Sequence, residues 1–138
     1  MENRIKEILK MKRDLEAESL FLHKRLEDRR FKPNPELEKR MNTVDDQLSN
    51  IESWLMLLAE DERHVIQRHL IDGIDIPRIV IEYRERWGEE YAKTERTIKS
   101  YQRKALQKIA RFEKTKQDLL GGAVMDDSQI QDMDFSCS

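Results

Sequence analysis

At 138 residues and 16.6 kDa the chain has room for one domain or two very small ones. With 39% of its residues charged, and four Gly and three Pro in all, it has the composition of solvated helices, not of sheet or low-complexity chain. No apolar run approaches the ~20 residues of a membrane span, and no signal-peptide core follows the N-terminus, so the chain reads as cytoplasmic with no membrane partner.

Residues 2 to about 31 read as one helix. Ile5, Ile8, Met11, Leu15, Leu22 and Leu26 form an apolar stripe among Lys, Arg and Glu. Phe31-Lys32-Pro33-Asn34-Pro35 breaks it, because Pro33 disfavours helical geometry at Lys32. Asn34 is a good N-cap and Pro35 suits a first helical position. A second helix then runs from Pro35 to about Ala59. Its apolar residues Leu37, Met41, Val44, Leu48, Ile51, Leu55 and Leu58 alternate in steps of four and three, a coiled-coil seam. A short turn between two such helices makes them antiparallel neighbours. The seam serves an intramolecular hairpin or a homodimer, with Phe21 and Trp54 beside it either extending an interface or widening the core.

A third helix begins around Leu58-Ala59-Glu60, with Asp61 as N-cap or first-turn acid. Val65, Ile66, His69 and Leu70 share its inner face, and Asp72-Gly73 ends it. Asp75 caps a fourth helix with Pro77 in its first turn and Ile76, Ile79, Val80 and Tyr83 inward; Trp87-Gly88 terminates it. After a polar connection, Thr94 caps a fifth helix reaching about Lys116, with Ile98, Tyr101, Ala105, Ile109 and Phe112 on one stripe. Gly121-Gly122 follows. The residues beyond it are acidic, with Met125, Ile130, Met133 and Phe135 interleaved, and are expected to be disordered in isolation.

The net charge of −2 hides a segmentation. Residues 93–116 hold nine Lys or Arg against two Glu, while residues 117–138 hold five Asp and no base. One densely basic helix on a near-neutral helical scaffold points to DNA. At about 100° per residue, Arg96, Lys99, Ser100, Arg103, Gln107, Arg111 and Lys114 fall on the half opposite the apolar stripe. Arg can bond guanine bidentately, Gln can bond adenine, and Ser can meet base or phosphate. In a helix-turn-helix the N-terminal part of the second helix reaches bases. Arg96, Thr97, Ser100 and Arg103 are therefore the base-reading candidates. Lys93, Lys99, Lys104, Lys108 and Arg111 are placed for phosphates, and the helix N-terminus around Thr94 offers amides to another.

The segments Leu57–Gly73 (LLAEDERHVIQRHLIDG), Asp75–Gly88 (DIPRIVIEYRERWG) and Thr94–Phe112 (TERTIKSYQRKALQKIARF) together resemble region 4 of bacterial sigma factors. They are more similar still to the sigma-region-4-like late transcription regulators of phages and prophages of Gram-positive bacteria, the RinA/ArpU type. In that group a Leu-rich helical part precedes an ER-x-VI helix, and the final helix ends in an AL-x-x-(I/L)A element, here Ala105–Ala110. The resemblance covers about residues 55–112. The connection Arg86–Lys93 is longer than the usual tight turn, and Val80 stands where a small Ala is common. What the resemblance implies is a DNA-binding transcription activator that works with RNA polymerase at phage late promoters.

The resulting expectation is an all-α chain in three parts: a helical hairpin for packing or dimerisation over residues 1–58, a helix-turn-helix domain over 59–116, and an acidic tail over 117–138. The alternative is a protein–protein adaptor, or an anti-sigma-like inhibitor, acting through the hairpin. The residues offer no catalytic constellation and no cofactor motif. His23, His64 and His69 stand apart from any nucleophile, zinc-type HxxxH spacing is absent, and the single Cys137 has no partner for a disulfide or a metal.

Overall fold

Asn34 opens the longest apolar seam as its sequence implies. In the computed structural model, which describes residues 1–120, its side-chain oxygen accepts from the amides of Glu36 and Leu37 at 3.1 and 3.2 Å. These bonds satisfy two of the four amides that a helix start leaves without partners. The helix they begin, α3 (Pro35–Met56), buries Val44, Ile51 and Leu55, while Leu37, Met41 and Leu48 pack against the same cluster. Along it lies α2 (Lys12–Glu27), which contributes Leu15 and Leu22. Polar pairs close the rim of this contact. Lys12 meets Glu52, Ser19 donates to Asp45, and Arg40 grips Glu18 with two bonds. Numbers rise along α2 as they fall along α3.

The first helix is two helices. α1 (Glu2–Lys10) stops at Met11, whose amide bonds Ile8 O at 3.0 Å in a tightened turn, and α2 starts afresh. No Pro or Gly marks the place; packing sets it. Ile5 and Leu9, 2% and 0% exposed, turn toward the last helix, α6 (Glu95–Leu120), and toward the turn Ile66–Ile71 instead of continuing along α3. Leu9 is the buried residue, and Met11, expected on the stripe, is exposed. α2 also ends at Glu27, earlier than expected. Asp28 turns extended and binds the amide and guanidinium of Arg30, while Arg25 lies 3.8 Å over the Phe31 ring.

α4 (Glu60–Val65) starts with Glu62 reaching back to the Ala59 amide at 3.0 Å, while Asp61 accepts from the Glu62 amide in the first turn. The helix then widens into a π turn, Ile66–Ile71, whose end bond runs from Asp72 N to Gln67 O. The wider turn buries Ile66, Leu70 and Ile71 together. Gly73 adopts φ 75°, the left-handed geometry that costs Gly least. Asp75 takes the cap position of α5 (Ile76–Trp87) with extended backbone, but its side chain makes no capping bond. Arg68 secures α5 from the π turn, donating to both Glu82 oxygens at 2.9 and 2.8 Å and to Asp72 at 2.9 Å.

Thr94 caps α6 (Glu95–Leu120), its hydroxyl accepting from Thr97 N at 3.2 Å. The helix runs one turn past the expected end. Ile98, Ala105 and Ile109 are buried as expected, and so is Leu106, which the sequence reading left out. Two apolar clusters result. Val65, Ile76, Ile79, Tyr83 and Ile98 form one, with Trp87 and Tyr101 against it. The larger unites Ile5 and Leu9 with α2, α3, the π turn, Leu106 and Ile109. Of the two readings open for Trp54 the core is the one observed: it lies in this larger cluster at 1% exposure and donates to Glu113 at 2.7 Å. Phe21 remains 60% exposed. No helix among the described residues is long and apolar enough to cross a membrane. The expected disordered tail, from Gly121 on, lies outside the described residues, as does Cys137.

Candidate nucleic-acid interface

α6 is amphipathic, so burying its apolar stripe decides which of its charges meet water. The cations near the core find partners. Lys108 Nζ lies 2.7 Å from Glu62 Oε1, and Lys116 lies 2.9 Å from Glu113 and donates to Asn50 at 3.0 Å. The others do not. Among the described residues Lys93, Arg96, Lys99, Arg103, Lys104, Arg111 and Lys114 form no ion pair. The six of these within α6 span an arc of about 140° on the helix, at about 100° per residue, and the two paired lysines fall outside it. Gln107, also exposed, stands in the middle of this arc.

An array of unpaired like charges on one face repels itself, and the other described residues do not neutralise it; an anionic partner would. Three carboxylates packed near this helix and α5 are engaged inward. Glu62 and Glu113 face inward on Lys108, Trp54 and Lys116, and Glu82 holds Arg68. The Arg68 hydrogen bonds, the largest effect, hold the Glu82 carboxyl below its usual pKa, and burial opposes them.

The sequence-predicted residues divide accordingly. Arg96, Lys99, Arg103, Lys104, Gln107 and Arg111 are exposed on one face. Ser100 is half-buried beside them, and Lys93 is half-buried just before the helix. Thr94 spends its hydroxyl as the cap, and Thr97 is half-buried with its hydroxyl 3.2 Å from that of Thr94. Lys108 holds Glu62 instead of standing free.

Compared with protein-family models, curated proteins and solved structures, the chain matches none of them.

The sequence reading also passed over residues that the fold brings to the edge of this face. Asn3 and Lys6 of α1 line a cleft of about 340 Å³ together with Lys99, Gln102 and Arg103 of α6. Nothing in the sequence places α1 there, because the break at Met11 carries no breaker residue. Gln102 sits between the apolar stripe and the basic arc, and its Oε1 is buried with no hydrogen-bond partner among the described residues. No group of three His, Cys, Asp or Glu among the described residues is placed to hold a metal ion.

Proposed function

We propose that the protein binds double-stranded DNA sequence-specifically through the outward face of α6, and that α4, α5 and α6 act as a helix-turn-helix unit beside a hairpin of α2 and α3. The observation that carries this reading is the partition of charge on α6. Cations near the core are ion-paired, and those on the opposite arc are exposed with no ion pair among the described residues. Arg96, Ser100 and Arg103, in the first half of the helix, are assigned to base edges, and Lys93, Lys99, Lys104 and Arg111 to phosphates. Gln107 extends the reading face.

On the resemblance to sigma region 4 and the RinA/ArpU type, the role proposed is activation of phage late transcription, with RNA polymerase as the second partner. A homodimer in this scheme competes with the chain's own core for the Leu37–Leu58 seam, where Val44, Ile51, Leu55 and Leu58 are buried and Leu37, Met41 and Leu48 are half-buried. Leu20 and Phe21, 58% and 60% exposed on α2, are among the exposed apolar side chains open to it. The same pair supports the second reading, a protein–protein adaptor.

Titration of the protein into fluorescent duplex across a salt series separates the two. The DNA reading expects binding whose logarithm falls steeply and linearly with the logarithm of salt. Absence of duplex binding, with stoichiometric capture of a protein partner through α2, would replace it with the adaptor.

A further inference from the structure

We infer that α1 is a second DNA-contacting element, and that its Lys6 joins Lys99 of α6 in gripping a backbone phosphate beside the reading face. The inference rests on the DNA reading and names a site that reading does not contain.

The break at Met11 redirects α1 from the α2–α3 contact onto α6 and the π turn, and Ile5 and Leu9 anchor it there. Anchoring Ile5 and Leu9 inward carries Lys6 and Asn3 to the side where α6 turns outward. The cleft so formed is lined by Glu2, Asn3, Lys6, His69, Ile76, Lys99, Gln102, Arg103 and Leu106. Three side-chain cations stand there against one carboxylate, that of Glu2, which is exposed at the first turn of α1. Lys6, Lys99 and Arg103 form no ion pair among the described residues. The floor is rigid. Ile76 and Leu106 are buried, and His69 is held through Nδ1 to the Ile74 carbonyl at 2.8 Å.

The partner follows from position. Lys99 marks one edge of the basic arc, and α1 lies beyond that edge. A helix seated in the major groove has a sugar–phosphate strand along each side, so the element flanking the arc meets phosphate, not base. Asn3 offers an amide donor to the same group. The Gln102 Oε1, buried without a partner, is an acceptor that a water bridging to the phosphate would satisfy.

The test uses the full chain and duplex titrations across a salt series, with helicity checked by circular dichroism. Lys6→Gln is expected to weaken all duplexes several-fold and to flatten the salt slope by about one unit, without changing which sequence is preferred. Glu2→Gln is expected to strengthen binding by removing the carboxylate at the rim. Lys10→Gln, on the same helix but paired with Glu7 away from the cleft, is expected to leave binding unchanged. Wild-type binding with Lys6→Gln indistinguishable from Lys10→Gln would overturn the α1 contact and leave the DNA reading standing. A wild type with no duplex affinity would overturn both.

Discussion

Lys108 and Glu62 join the middle of α6 to the start of α4 through a single carboxylate oxygen. Glu62 Oε1 accepts from Lys108 Nζ at 2.7 Å and from the Ala59 amide at 3.0 Å, and the residue is only 6% exposed. One side chain therefore caps one helix and docks another. Lys108→Ala leaves a buried carboxylate without its cation, at an expected cost of about 1–3 kcal/mol. The check is urea unfolding: the midpoint falls while the slope stays constant. An unchanged midpoint would show that Lys108 is a solvated surface charge.

Ile51 and Phe21 should behave oppositely although both are large and apolar. Ile51 is 0% exposed in the α2–α3 core, and Phe21 is 60% exposed on the outer side of α2. Ile51→Ala is expected to cost about 2–5 kcal/mol of stability. Phe21→Ala is expected to stay within about 0.5 kcal/mol of the parent. Thermal or urea unfolding of the two variants checks the pair, and a large loss for Phe21→Ala would place that side chain in an interface in solution.

His64 makes stability depend on pH in a defined window. Its ring meets Trp87 edge-on at 5.3 Å, and its Nε2 is buried with no partner among the described residues. Burial first, then the charges of Arg86 and Arg68, lower its pKa from the ordinary 6.5, and Glu82 opposes them. The folded state thus takes up the proton less readily than the unfolded chain. Stability is full above 6.5 and falls as the pH drops below it, until the folded ring itself protonates. Glu18, Asp45 and Glu82, whose pKa values are also lowered, add their losses only below their ordinary 4.5, 3.8 and 4.5. His64→Gln is expected to flatten the melting temperature between about pH 6.5 and 5 and to leave the steeper acid limb in place. A wild-type melting temperature that does not move in that interval would contradict this account.

The seam of α3 was legible in sequence from Leu37 to Leu55, because heptad spacing and the Asn34-Pro35 start are local signals, although the helix ends at Met56, before Leu58. So were the Gly73 and Gly88 turns, where positive φ is required. The break at Met11 was not, since it reflects where Ile5 and Leu9 find burial, and local propensity says nothing of that. Trp54, which the sequence left open between an interface margin and a wider core, falls in the core. It sits beside the stripe in projection, but the approach of α6 with Glu113 covers it. On α6 the period separated Arg96, Arg103 and Gln107 from the core. It could not show that Lys108 would meet Glu62, or that Lys6 would stand in one cleft with Lys99 and Arg103; both depend on contacts between distant segments.

Arg96 and Arg103 carry the central claim, that the outward face of α6 reads DNA. Both are exposed, and neither forms an ion pair among the described residues, so their loss should spare the fold. The decisive measurement is selection of bound duplexes from a random pool by the wild type and by the Arg96→Ala/Arg103→Ala double variant. The wild type is expected to enrich one motif. The double variant is expected to lose it while keeping weak, salt-sensitive binding to any duplex, at about 1–3 kcal/mol for each lost bidentate contact. Enrichment of the same motif by both proteins, or of none by the wild type, would contradict the account.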